Sequence, residues 1–414
     1  MILQSIQYPS EIISMCKMRS KSYKIPFEKN TNDIDACYEM LNRVSRSFSV
    51  VIQQLPDQLK DVVCIFYLVL RGLDSIEDDI DYDIDKKIIL LKEFYKKLDD
   101  PTWSISAGDT PDYKILLQHF YKVIRCYKAL DKKYKIIISD ITQQMGNGMS
   151  DFARMLEKRQ KEKRGIDTME HYNLYCHYVA GLVGQGLSDL WVASGLEDAF
   201  DTELSSSMGI FLQKVNIIRD YLEDNETRSW WPEEVWSKHS SSLSYFKDNP
   251  ESTKSLDCLN ELVVDALTHV PDTLKYVKKI KNPQIFKFCA IPQIMAIATL
   301  YEVYNNPNVF KKNVKVRKGF ICKIMTEPVN IDVYYSIYAQ KFLKKDTNDT
   351  LSKICHEMNT LHISETNLYI MHQLAWMIII FSIYSIFTNK IKYFLIFTII
   401  AVMYLTGIIG IQYF

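Results

Sequence analysis

Nine consecutive residues, Val62 to Leu70 (VVCIFYLVL), are apolar on every face and run directly into Arg71-Gly72-Leu73-Asp74-Ser75-Ile76-Glu77-Asp78-Asp79. A helix with no polar face has to be buried, so this chain must place carboxylates at the end of a core element. Asp74 and Asp78 are i,i+4 neighbours with Glu77 beside them, and like charges at that spacing destabilise a helix by a few tenths of a kcal/mol. Burial nearby raises the cost. A divalent cation removes the conflict. Carboxylates one helical turn apart suit Mg²⁺, a hard ion that takes one or two carboxylates together with substrate phosphates. Taken alone, the pattern reads more simply as a buried helix ending in a solvated acidic loop through Asp81, Asp83 and Asp85.

The pattern is not alone. Asp220-Tyr221-Leu222-Glu223-Asp224 repeats the Asp-x-x-Glu-Asp arrangement 146 residues later, again after an arginine, Arg219. At about 100° per residue, Phe211, Leu212, Val215, Ile218 and Leu222 share one face, and Gln213, Asn216, Asp220 and Asp224 line the other. An ordinary surface helix has the same two faces; Ile217 inside the polar stripe is a weak sign of a cavity wall instead of bulk water. Two such helices facing each other would hold Mg²⁺ ions and a diphosphate between them. The reaction class this serves is ionisation of an allylic diphosphate, with the metal as Lewis acid on the leaving group. Between the pentads, Tyr172, Tyr175, Tyr178/Val179 and Leu182 form a helical stripe, while Gly181 and Gly184 permit close helix approach. In such a cavity aromatic faces stabilise carbocations, and a tyrosine can pass a proton to departing pyrophosphate. In isolation the stripe is an ordinary core stripe.

The expected fold class is all-α. Gly is scarce, 13 in 414 residues, and strand alternation appears nowhere. Helical patterns cover Leu116 to Leu130, Ile136 to Glu157, Met169 to Gly195, Ser205 to Glu223, Asp257 to Ile280 and Gln284 to Tyr304. Fifty basic residues balance fifty acidic ones, which excludes a globally basic nucleic-acid binder. Nine cysteines without a Cys-x-x-Cys indicate buried thiols in a reducing compartment. Residues 1–340 are expected as one catalytic body, 341–366 as a polar linker and 367–414 as a C-terminal membrane anchor. From Asn367 onward there is no Asp or Glu and only two Lys, Lys390 and Lys392. The run 393–414 gives about 33 Å of helix, enough for a ~30 Å bilayer core. The anchor is one span, or a hairpin of 368–387 and 393–414.

These residues resemble the squalene synthases of the squalene/phytoene synthase family. The resemblance is carried by Ser45-Arg46-Ser47-Phe48, CIFYLVLRGLDSIEDD (64–79), YCHYVAGLVG (175–184), FLQKVNIIRDYLED (211–224), FCAIPQIMAIATL (288–300) and VKVRKG (314–319). It covers roughly residues 40–320, and beyond 320 it rests on the anchor. It implies a single-domain isoprenoid-synthase bundle around a central cavity. The implied reaction joins two farnesyl diphosphates head to head into presqualene diphosphate, then reduces and rearranges this with NADPH to squalene for sterol biosynthesis. By position, Asp74, Glu77 and Asp78 would carry Mg²⁺, and Asp220 and Asp224 the second diphosphate's metal. Tyr175 would be the catalytic tyrosine of the first half-reaction, and Phe288 would shield the cation of the second. Arg46, Arg71, Arg219, Lys315 and Arg317 would bind the cofactor's phosphates or the substrate diphosphate. A monomer is expected, and because no secretory signal precedes the C-terminal anchor, the membrane is expected to be the endoplasmic reticulum with the body in the cytosol, a reading the resemblance also implies in part.

The residues themselves are compatible with NADPH but do not call for it. No Gly-x-Gly-x-x-Gly follows a strand, so any dinucleotide must be held by cationic side chains and not by a Rossmann turn. Lys311, Lys312, Lys315, Arg317 and Lys318 form a basic segment, although a charge run is usually a solvated face. Gly72 stands where alanine is expected, at a cost of about 1 kcal/mol in a helix interior. Two other readings remain: a phytoene-synthase-like transferase without reduction, and a membrane-anchored interaction protein with no activity.

Overall fold

The computed structural model describes residues 8–19, 32–161, 164–224, 230–346 and 348–360. Every regular element among them is helical, as the composition and periodicity require. The helices that build and flank the centre are α1 (Pro9–Arg19), α2 (Arg46–Ile52), α3 (Asp57–Asp78), α4 (Ile84–Lys97), α5 (Lys132–Lys161), α6 (Met169–Cys176), α7 (Leu182–Ser194), α8 (Thr202–Arg219), α9 (Pro283–Val303), α10 (Lys318–Thr326) and α11 (Ile331–Lys345). A single π turn, His177–Gly181, joins α6 to α7.

Helix α3 is the axle. Val62 to Leu70 is buried on every face except at Tyr67, and full burial of each large apolar side chain stabilises by about 1.5–3 kcal/mol. Around the centre, α2 packs on α3, α3 on α5, α5 on the π turn and α7, α7 on α8, α8 on α9, and α9 back on α2. The result is a closed ring of helices. Helix α9 is long and apolar enough to cross a membrane, but two thirds of its apolar window is buried inside the protein, so it is a core helix. Pro283 opens it at a position where the missing N–H costs nothing, and Asn282 Oδ1 accepts from Gln284 N (2.9 Å) and Ile285 N (3.2 Å).

Gly72 has a packing reason. A Cβ there would stand 2.4 Å from Cε2 of Phe120, whose ring is fully buried in edge contact with Phe94 and Trp103. Glycine lets that ring press on the α3 backbone. Gly72→Ala is therefore expected to destabilise the protein by about 1–2 kcal/mol, because overpacking outweighs the ~1 kcal/mol gained in helix propensity. A higher denaturation midpoint for the variant would contradict this.

Several boundaries differ from the sequence expectation. The Leu116–Leu130 pattern breaks at His119, and the Asp257–Ile280 pattern splits into helices Thr253–Leu267 and Val270–Lys279, with Pro271 at the start of the second. The stretch expected as a polar linker starts inside α11, and 349–360 is helical with Leu351, Cys355 and Met358 buried. Its apolar residues recur at helical spacing, so this part packs on the body. All nine cysteines are free thiols. The expected anchor, 367–414, lies outside the described residues.

Candidate active site

The ring encloses a cavity of about 510 Å³, within the range of small-molecule sites. Arg71, Asp74 and Asp78 line it, as do Arg219, Asp220 and Asp224, Tyr175 and Phe288. Both acidic pentads therefore reach one space, whose remaining wall is mostly apolar.

The first pentad is the last turn of α3. Asp74, Glu77 and Asp78 each offer one carboxylate oxygen, all within 4.8 Å of one another. Glu77 is almost wholly buried. Arg71 ion-pairs with Asp74, and its guanidinium stands over the rings of Tyr67 (5.8 Å) and Tyr113 (5.6 Å). Burial works against the Arg71 charge, but Asp74 and the two phenols overcome it and push its pKa up. Asp79, the residue just after the pentad, is structural: its carboxylate accepts from Gly108 N (2.7 Å) and Asp81 N (3.1 Å). The buried Lys87 donates to the carbonyls of Glu77 (2.9 Å) and Asp79 (2.5 Å). That cation satisfies two acceptors at the negative end of the helix and fixes where the pentad stops. Sequence reasoning passed over Lys87, which looks like one charge among many in a surface helix.

The second pentad has another backbone. α8 ends at Arg219, Asp220 sits at φ −94°, ψ 15°, and a short turn, Tyr221–Asp224, follows. The Asp220 carbonyl accepts from Glu223 N (2.9 Å) and Asp224 N (3.0 Å). Arg219 Nε donates to Asp220 at 2.7 Å. Burial lowers the Arg219 pKa, but its hydrogen bond and ion pair with Asp220 raise it on balance. Leu212, Gln213, Asn216 and Ile217 all line the cavity, so Ile217 in the polar stripe did mark a wall.

Tyr175 is 4% exposed, its ring stacked on Trp230 (4.1 Å, 17°) and met edge-on by Phe152 (5.3 Å). The segment that carries Trp230 is pinned from two sides. Trp231 Nε1 donates to Ile217 O (3.2 Å), and Glu233 accepts from Arg159 (3.0 Å) and Arg164 (2.7 Å). Trp230 and Phe152 carry no sequence signal, because what joins them to Tyr175 is tertiary packing. Gly184 behaves as expected, since a Cβ there would stand 2.1 Å from Ser205 O; Gly209, not singled out in the sequence, does the same, with a Cβ 2.0 Å from Ala180 O. Helix backbones touch there.

The cationic residues divide. Arg71 and Arg219 line the cavity, whereas the Arg46 side chain lies outside the described residues. Asn313 donates to Glu223 of the second pentad, which brings the basic segment beside it, and Lys315 is exposed. Arg317 is engaged elsewhere: it pairs with Glu11 (2.9 Å) of α1 and stands over the Tyr8 ring (4.0 Å). Lys311 pairs with Glu251 at 2.7 Å.

An all-helical ring that brings two acidic pentads to one aromatic-lined cavity is the architecture of an isoprenoid synthase. The chain belongs to the squalene/phytoene synthase family, which it matches over residues 41–319. It is similar to "Squalene synthase BSS" of Botryococcus braunii, 47% identical over 344 residues, covering 80% of this chain and 73% of that one. "Squalene synthase" of Schizosaccharomyces pombe is 47% identical over 309 residues, covering 73% of this chain and 67% of that one. Among solved structures, the complex of TcSQS with ligand E5700 is 40% identical, with a TM-score of 0.76, covering 81% of this chain and 99% of that one.

Proposed function

We propose that this chain is an enzyme that condenses two farnesyl diphosphates head to head to presqualene diphosphate, and then rearranges and reduces this to squalene. One observation carries the reading: two Asp-x-x-Glu-Asp pentads far apart in sequence line one cavity together with Tyr175 and Phe288. The three clustered oxygens of Asp74, Glu77 and Asp78 fit Mg²⁺, whose hard-ion chemistry favours carboxylates shared with phosphate oxygens. Asp220 and Asp224 would hold metal for the second diphosphate. When bound, Mg²⁺ supplies Lewis-acid stabilisation of the leaving diphosphate.

The chain's own groups do the rest. Arg71 and Arg219, each already charged and paired with an aspartate, balance the carboxylates before ligand arrives and can turn to diphosphate oxygens afterwards. The Tyr175 phenol stands in the cavity wall, where it can pass its proton to departing pyrophosphate. Trp230, Phe66 and Phe288 present ring surfaces to a developing cation, and the apolar wall keeps water from quenching it. NADPH, when bound, would supply hydride for the second half-reaction. Lys315, exposed on the segment beside the second pentad, suits one of its phosphates, and Arg317 would have to leave Glu11 to contribute. We assign residues 367–414 to membrane anchoring, on their length and lack of acidic residues; a monomeric body on the cytosolic face of the endoplasmic reticulum is what the family resemblance adds to this reading.

The test is the detergent-solubilised full chain with farnesyl diphosphate and Mg²⁺, with and without NADPH. Pyrophosphate release in both, with squalene only when NADPH is present, is expected. No release in either case would end the enzyme reading. Release without squalene in the presence of NADPH would favour a transferase that does not reduce.

A further inference from the structure

The helical winding changes between Tyr175 and Leu182, and the change decides which side chains share the cavity. Tyr175, Val179, Ala180, Val183, Gly184 and Leu187 line it. In an unbroken α-helix, at about 100° per residue, these six would spread over about 180° with Gly184 opposite Tyr175. The π turn His177–Gly181 inserts the equivalent of one extra residue, which rotates everything after it back by about 100°. Val183, Gly184 and Leu187 then fall at roughly −20°, 80° and 20° from Tyr175. The phenol and the apolar wall come to one face.

A π turn is rare and has to be held by its surroundings. Here α8 and α5 hold it. His177 Nδ1 meets Ser206 Oγ at 2.9 Å, and burial pushes the imidazole pKa down, so that the neutral ring can accept the hydroxyl proton. Gly181 leaves room for that contact: a Cβ there would stand 2.5 Å from Ser206 Oγ and 2.8 Å from His177 Nδ1. The Ala180 carbonyl lies against Gly209, and on the other side the Tyr178 ring lies against Gly148 of α5, where a Cβ would stand 2.2 Å from Cγ.

We propose that His177 and Ser206 are positioning residues for the condensation: their hydrogen bond holds the π turn, and so sets the rotation of Tyr175 relative to the wall from Val183 to Leu187. This rests on the function proposed above, in which the phenol and the wall act on one bound isoprenoid. Neither residue touches substrate in this scheme. Losing the bond lets the turn relax toward α-helix, which swings the wall and the phenol apart without disturbing the carboxylates.

The experiment compares His177→Ala, His177→Asn and Ser206→Ala with the parent full chain, by steady-state kinetics on farnesyl diphosphate and by hydrogen-exchange mass spectrometry over residues 175–187. The two alanine variants are expected to lose about tenfold or more in kcat, since misplacing a reacting group by ~1 Å can cost about a hundredfold. KM should change less than about threefold, because the diphosphate-binding groups are intact. Amide exchange across the turn should rise in both. His177→Asn keeps an acceptor near the Nδ1 position and is expected to recover most of the rate and the protection. Unchanged kcat and unchanged exchange in both alanine variants would overturn the proposal, as would a His177→Asn variant no better than His177→Ala. An inactive parent chain would instead refute the proposed function, and the exchange data would still decide whether the bond holds the turn.

Discussion

Asp78→Asn is expected to slow pyrophosphate release by about a hundredfold or more while the chain folds normally. Asp78 lines the cavity, and its carboxylate lies within 4.8 Å of those of Asp74 and Glu77. On the proposed function, replacing it with an amide would remove one negative ligand from a metal whose contribution to the transition state is worth several kcal/mol, and each 1.36 kcal/mol is tenfold in rate. The helix it ends is held by burial upstream and by Lys87 on its terminal carbonyls, and removing one of three crowded charges relieves repulsion. Without metal, the melting temperature should therefore stay level or rise slightly. With Mg²⁺ the parent should gain stability by mass action and the variant should gain much less. A large loss of stability in the absence of metal would make Asp78 a structural residue.

Tyr175→Phe should retain the fold and lose the first half-reaction by about 10²- to 10⁴-fold, the usual worth of a positioned general acid or base. The substitution keeps the ring, and with it the stack on Trp230 and the edge contact with Phe152. What it removes is the proton. Single-turnover assays of presqualene diphosphate formation, read beside a thermal melt, separate the two roles. Unimpaired formation would return Tyr175 to the aromatic core.

Much of this site was legible in the sequence, for reasons that particular residues make plain. Val62 to Leu70 has no polar face, so burial was its only option, and the carboxylates that follow inherited that location. Ile217 in a polar stripe marked a wall because an apolar residue there needs shelter. Gly181 and Gly184 pointed to close packing because helix interiors otherwise disfavour glycine. The rest depends on partners distant in sequence. Gly72 reads as a flaw until Phe120 arrives. Arg317 reads as a free cation until Glu11, some three hundred residues upstream, takes it. His-Tyr-Val-Ala-Gly contains no mark of a π turn, which exists through Ser206, Gly209 and Gly148. The break at Asp220 is likewise invisible, since both pentads spell the same pattern and only one continues a helix. Polar residues make 341–366 read as a linker, whereas among its described residues Leu351, Cys355 and Met358 are buried.

The crossing of Gly184 with Ser205 and of Gly209 with Ala180 sets a limit on how this scaffold can change its substrate. Where two main chains are in contact, the spacing between the helices cannot be adjusted in either direction: no smaller residue than glycine exists, and any larger one forces the helices apart. The calibre of the cavity along that seam is therefore fixed by backbone, and its length is left to the side chains that project from other helices, such as Phe48, Met145 and Phe288. A descendant of this chain that accepts a longer or shorter isoprenoid should differ at those projecting positions, with the glycine seam unaltered.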